Sequence, residues 1–263
     1  MGRRYTAAME RFHSVHLLLA LLMAGGAAVL TATTAQAGPP FITDDPEAVE
    51  LHHWELYIAA IGSMNEERGA RDTFSTLPHV EVNYGALPEL QFHVIAPLAI
   101  DDASGGVHYG YGDTELGAKY RFIRESGWIP QVGTFPLIEV PSGNADEGLG
   151  NGKAQYFFPV WVQKSWGKWT TYGGGGYWLN QGNGNRDWWY FGWLLQRQLT
   201  DNFLLGAEVY QTTPDAIGSE ARTGFNLGAV YDFDEHHHLM GSLGRDFLGR
   251  TQFQWYLAFQ FTY

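Results

Sequence analysis

The sequence predicts an all-β protein: a transmembrane up-and-down antiparallel β-barrel of about twelve strands, preceded by a short N-terminal periplasmic segment. Three observations carry that prediction. Large apolar residues recur with a period of two, most clearly at the C-terminus, where Phe253, Trp255, Leu257, Phe259, Phe261 and Tyr263 alternate with Gln254, Tyr256, Ala258, Gln260 and Thr262. Past residue 37 no apolar run approaches the roughly 20 residues a helical span needs, the longest being Tyr156 to Val162. Short turns alternate with mostly longer loops rich in Gly, Asp and Glu, as periplasmic turns alternate with extracellular loops.

Composition narrows the function classes. The chain has 263 residues, no cysteine, 33 glycines, and 10 Trp, 14 Tyr and 16 Phe, with a formal net charge of −12. Without cysteine there is neither a disulfide scaffold nor a Cys-ligated metal site. An acidic chain repels the phosphate backbone, so nucleic acid is not an expected partner. The hydrophobic share of 45% excludes disorder, and 15% aromatic against 17% charged residues is unusual for a soluble enzyme.

Residues 1–37 read as a signal peptide. Arg3, Arg4 and Arg11 form a basic region, an apolar stretch runs from Val15 to Leu30, and Ala35-Gln36-Ala37 places cleavage before Gly38. Residues 38–53 form a periplasmic leader or plug segment, and 54–263 the barrel. The strands are placed to start near Trp54, Thr73, Leu90, Asp113, Ile129, Ala154, Trp169, Asp187, Asn202, Arg222, His237 and Gln252, each about ten residues long. The run Gly173 to Gly176 in the seventh marks a kink or a close backbone approach.

Alternation also assigns the two faces. Leu56 and Ile58 oppose Glu55 and Tyr57; Phe92 and Val94 oppose Gln91 and His93; Leu116, Tyr120 and Phe122 oppose Glu115, Lys119 and Arg121. Leu205 and Val209 oppose Glu208 and Tyr210, and Phe225 and Leu227 oppose Asn226. A basic side chain facing lipid at the bilayer midplane costs about 2–4 kcal/mol, so the charged phase must face a lumen. The predicted lumen-lining set is Glu55, Tyr57, His79, Glu81, Gln91, His93, Glu115, Lys119, Arg121, Glu208, Tyr210, Asn226 and Tyr256. Such charges either tune conductance or form a salt-bridge network that fills a closed interior, and for twelve strands the two weigh about evenly.

The expected short turns are Gly85 to Pro88, Arg124 to Gly127, Ser165 to Lys168, Thr200 to Asn202 and Phe233 to His236. The expected loops are Ser63 to Asp72, Asp101 to Gly112, Pro141 to Lys153, Asn180 to Arg186 and Thr213 to Ala221. Trp54, Trp128, Trp166 and Trp169 fall at periplasmic strand ends and Trp178, Trp188, Trp189 and Trp255 near extracellular ones, as two interfacial belts.

A family resemblance rests on specific stretches. Gly38-Pro39-Pro40-Phe41-Ile42-Thr43-Asp44-Asp45-Pro46-Glu47, with His53-Trp54-Glu55 after it, resembles the mature start of the outer-membrane family known as the putative MetA-pathway phenol-degradation, transporter-like barrels. Gly112 to Phe122, Glu235 to Leu239, and Gly244-Arg245-Asp246 are similar to other stretches of that family. The resemblance spans nearly the whole mature chain and implies an outer-membrane barrel that passes small, often hydrophobic or aromatic, compounds.

Two local clusters are candidate sites. Asp44, Asp45, Glu47, Glu50, His52 and His53 could hold a hard divalent cation or fold into the barrel as a plug. An acidic leader capped by Pro46 and packed on the barrel rim outweighs both, because no Ca²⁺-loop spacing is present. Asp44, Asp45, Glu47 and His53 are the plug or cation candidates. His236-His237-His238 alternate faces on an extended strand, so a solvated turn outweighs a metal site.

No catalytic residue, metal or cofactor is predicted. His-x-Ser-Asn, Gly-x-Ser-x-Gly and His-Glu-x-x-His arrangements are missing. Two functions remain: a passive channel for small apolar or aromatic solutes, with Tyr57, Tyr210 and Tyr256 as stacking surfaces, and a non-conducting structural or adhesive barrel with acidic loops. Expected partners are outer-membrane lipid and lipopolysaccharide, a small-molecule solute, and the barrel-assembly machinery through the C-terminal aromatic strand.

Overall fold

A computed structural model describes residues 38–67, 70–103, 106–249 and 252–263; the signal peptide expected at 1–37 lies outside them. Fourteen strand segments are present among these residues: β1 (Trp54–Glu67), β2 (Ala70–Leu87), β3 (Leu90–Ala103), β4 (Gly106–Tyr111), β5 (Thr114–Ile123), β6 (Gln131–Thr134) and β7 (Leu137–Val140) lead the chain. They are followed by β8 (Gln155–Trp166), β9 (Trp169–Asn180), β10 (Trp188–Thr200), β11 (Phe203–Thr212), β12 (Arg222–Asp232), β13 (His237–Leu248) and β14 (Gln252–Thr262).

Two pairs of segments each make one stave. β4 and β5 both pair with β3, on either side of Gly112-Asp113. β6 and β7 both pair with β5 and β8, and Phe135-Pro136 interrupts them. Pro136 has no N–H to give the ladder. The result is twelve antiparallel staves, each beside its sequence neighbour, closed where β1 pairs with β14 from Glu55↔Thr262 to Asn65↔Gln252. Closure leaves no strand edge, which hydrocarbon would not tolerate.

The faces are inside out relative to a soluble protein. Phe92 and Leu227 are 52% and 56% exposed, whereas Glu208 and Asn226 are 2% exposed. The predicted period holds because lipid covers the apolar phase while polar side chains satisfy one another within.

Three expectations need correction. Most of each stretch expected as a loop, at 63–72 and 101–112, is strand: residues 63–67 and 70–72 belong to β1 and β2, which are 14 and 18 residues long, and residues 101–103 and 106–111 to β3 and β4, which pair with each other. A span needs about 9–11 residues, so these hairpins run past the bilayer, and their Asn, Asp and Glu residues imitate a loop composition. Trp178 and Trp188 do not belong to the outer belt. They face inward, stacked on each other with ring centroids 5.6 Å apart, and Trp178 also stacks on Phe157 at 4.7 Å. Trp54, Trp128, Trp166, Trp169 and Trp189 are exposed as a lipid-facing belt requires.

The glycine run in β9 is a close-approach site. A Cβ on Gly176 would lie 2.5 Å from the Phe157 ring and one on Gly174 3.0 Å from the Trp161 ring. On the outer face Gly173 and Gly175 lie under Trp193 and Phe191. Bare backbone lets rings lie flat on both sides of this strand.

Candidate functional site: the occupied lumen

Residues 38–49 thread the barrel interior as irregular chain instead of packing on the rim, in keeping with Pro39, Pro40 and Pro46, none of which can donate to a ladder. Residues 50–53 are exposed, and His52 N–H donates to the Gly85 carbonyl at 2.7 Å near the β2–β3 turn. Backbone groups of this leader are therefore satisfied by wall side chains. Glu208 on β11 accepts from the N–H groups of Ile42 at 2.8 Å and Thr43 at 2.7 Å, and Asn226 on β12 donates to the same carboxylate at 2.6 Å. Ser242 on β13 donates to the Pro40 carbonyl at 2.5 Å. Gln91 on β3 accepts from Val49 N–H at 2.9 Å. Thr43 and Tyr190 share a hydroxyl contact at 3.1 Å.

The acidic side chains meet bases on β5. Lys119 Nζ is 2.9 Å from Asp44 Oδ1 and 3.6 Å from Asp45 Oδ2. Arg121 lies 3.6 Å from Glu47 and also pairs with Glu89 at the β2–β3 turn. Gln163 on β8 donates to Glu47 at 3.2 Å. Burial pushes the Asp45 carboxyl well above the ordinary carboxylate range, against the pull of the Lys119 ammonium. Burial likewise raises Glu47, against Arg121. The Lys119 ammonium takes the position a bound cation would need between Asp44 and Asp45. No group of three or more His, Asp or Glu among the described residues is arranged to hold a metal ion.

Glycines form the cradle for this chain. A Cβ on Gly206 or Gly228, neighbours across β11 and β12, would come within 2.6 Å of the Phe41 ring, and one on Gly133 within 2.8 Å of Pro46. Gly192 faces Thr43, and Gly85 faces the Glu50 carbonyl.

The side chains predicted for the lumen take part in several separate networks. His93 bonds Asn83 at 2.6 Å and Glu115 at 2.9 Å, with Glu81 3.6 Å away. Tyr57 donates to Glu55 at 2.9 Å. Tyr210 donates to Asp246 at 2.6 Å, and Gln254 donates to both Tyr210 and Asn226. His79 bonds Thr76 at 3.1 Å. Lys119 and Arg121 join the leader acids Asp44, Asp45 and Glu47; His53 stays outside, exposed and 3.8 Å from Glu50. The three histidines of the β12–β13 turn bond different groups: His236 the Thr262 carbonyl, His237 Asp234 and His238 Asp232.

Apart from Tyr210, sequence reasoning missed an interior aromatic cluster. Phe135, Phe157, Trp161, Tyr190 and Tyr210 are buried together, with Trp178 and Trp188 against them. In Tyr156 to Val162 both faces are apolar, so no polar residue marks the inward phase; only Gln155 and Gln163 at its ends do. Beside Phe41 a cavity of about 350 Å³ remains, walled by the leader and by β1, β2, β3, β12, β13 and β14.

A family model described as "Putative MetA-pathway of phenol degradation" matches residues 66–260. Among solved structures, the chain is similar to an outer membrane channel from Pseudomonas putida F1, with 17% identity and a TM-score of 0.70 over 87% of this chain and 100% of that one. It is also similar to the KdgM porin, with 10% identity and a TM-score of 0.52 over 78% and 98%. The translocator domain of autotransporter NalP from Neisseria meningitidis is a third, with 11% identity and a TM-score of 0.50 over 80% and 87%. At these identities the likeness is one of fold. None of the curated proteins matches the chain.

Proposed function

The chain belongs to the family described as "Putative MetA-pathway of phenol degradation", and on that premise we propose that it is an outer-membrane β-barrel channel for passive passage of small, hydrophobic or aromatic solutes. In this reading residues 1–37 are a signal peptide cleaved before Gly38, residues 38–53 are a plug, and residues 54–263 are the conducting barrel. It is not an enzyme. Its C-terminal aromatic strand engages the barrel-assembly machinery, and its surface meets outer-membrane lipid and lipopolysaccharide.

The supporting observation is the way the leader is held. Over residues 38–49 its contacts with the wall are hydrogen bonds, ion pairs and ring contacts between separate groups, so each can be exchanged for water without opening the barrel. A plug bound this way can leave a wall that stays intact.

One observation favours the second reading, a non-conducting structural or adhesive barrel: the leader and its ion pairs fill much of the interior. Single-channel conductance and liposome swelling on purified protein separate the two. The channel predicts solute flux that rises when residues 38–50 are deleted. A leaderless barrel that folds, inserts and passes no solute leaves only the structural role.

A further inference from the structure

The leader is more than an obstruction, because it builds one wall of the cavity. Pro40, Phe41 and Ile42 face it from one side, and Ile61, Phe74 and Ile95 supply apolar surface opposite. Polar groups also line it, among them His79, Glu81, Asn226 and Gln254. Resting on the channel reading above, we propose that this cavity is a binding site for a neutral solute with a single aromatic ring and one hydrogen-bonding substituent, and that the docked leader is half of the site.

Size, charge and shape support each part. About 350 Å³ lies at the low end of small-molecule sites, enough for one substituted ring. Glu81 in the wall repels an anion, and the apolar majority leaves a cation without its hydration. Two phenylalanine rings offer faces for offset or edge contacts with a planar ring. Phe41 is held in place on two sides: its ring edge sits against the bare backbone of Gly206 and Gly228, and the flanking chain is pinned through Pro40 to Ser242 and through Ile42 to Glu208. A wall residue fixed in advance loses little entropy when solute binds. By linkage, a solute that needs the leader's wall must stabilise the docked leader by the same factor.

The test uses the mature protein in detergent micelles, with phenol as probe and cyclohexanol as the saturated ring of similar size. Titration calorimetry should give saturable phenol binding that exceeds cyclohexanol binding. Phe41→Ala and, on the opposite wall, Phe74→Ala should each weaken phenol binding about three- to tenfold, and Phe41→Tyr should retain it. Deleting residues 38–50 should abolish saturable binding. The leaderless barrel keeping phenol affinity, Phe41→Ala leaving it unchanged, or cyclohexanol matching phenol would each overturn the proposal. Heat-modifiable gel migration confirms that each variant is a folded barrel. Binding is read without transport, so a protein that binds phenol as described but passes nothing in liposomes would lose the channel and keep the site, and one that conducts without the binding pattern would do the reverse.

Discussion

The leader meets two unlike walls. On β5, Lys119 and Arg121 hold Asp44, Asp45 and Glu47 by charge. On β10, β11 and β12, Gly192, Gly206 and Gly228 receive Thr43 and Phe41 by shape, with Glu208 accepting two backbone N–H groups. Charge is long-ranged and responds to protonation and salt, whereas close packing is short-ranged and responds to a single methyl group. A plug held by both kinds of contact can be loosened at one end by solution conditions while the other keeps its register.

The charged wall should break most severely at Lys119. Its ammonium and the Asp45 carboxylate are both buried, so Lys119→Met leaves two carboxylates facing each other without a counter-charge. Breaking a buried pair from one side costs about 3–5 kcal/mol. The expected outcome is a leader expelled from the lumen, read as conductance near that of the 38–50 deletion and as protease cleavage within residues 38–50. Adding Asp44→Asn and Asp45→Asn to the same chain should restore closure. A Lys119→Met barrel that stays as closed as the native one would show that shape alone holds the plug.

The shape wall should break at Gly206. A methyl there would sit 2.6 Å from the Phe41 ring, and overpacking of this kind costs about 1–3 kcal/mol. Gly206→Ala should raise conductance less than Lys119→Met does, and its effect should be the same in low and high salt. If high salt cancels the difference between Gly206→Ala and the native barrel, the comparison between the walls fails.

Much of this architecture was legible in the sequence because lipid enforces it. Glu208, Asn226, Lys119 and Arg121 could be assigned to the lumen from their parity alone, since the opposite parity would put charge or amide into hydrocarbon. The leader's course was not legible. Its partners lie far away in sequence, Asp44 to Lys119 by 75 positions and Ile42 to Glu208 by 166, and only closure of the barrel brings them together. The acids of residues 44–47 therefore read first as a rim segment, ahead of a plug or a cation site, when their counter-charges were within the wall. Trp161, Trp178 and Phe157 were lost for another reason: inside the barrel, as outside it, an aromatic ring is acceptable, so hydrophobicity carries no information about which way it points.

Protonation offers a smaller lever on the charged wall. One ammonium cannot neutralise both Asp44 and Asp45, and burial raises Asp45 above its ordinary value of 3.8. An acid whose value is raised on docking takes up a proton as it docks. The stabilisation is complete below the ordinary value and is lost as pH rises through the raised one. Conductance should therefore increase as pH rises across that window, and Asp45→Asn, which mimics the neutral acid, should flatten the dependence. A native barrel whose conductance falls with rising pH would show that Asp45 docks as the anion.

The smallest expected effect lies at the other ion pair on the same wall. Arg121 and Glu47 are 3.6 Å apart with side chains 19% and 29% exposed, and Arg121 has Glu89 as a second partner. Water and that second carboxylate both dilute the contact, so its worth falls to the range of partly solvated pairs, up to about 1 kcal/mol. Glu47→Gln should keep the hydrogen bond from Gln163 in reach and change closure only slightly, with the difference disappearing in high salt. If Glu47→Gln instead opened the barrel as far as Lys119→Met, the charge holding the leader would be spread along the whole acidic run, and the distinction between the two walls would have to be redrawn around Arg121.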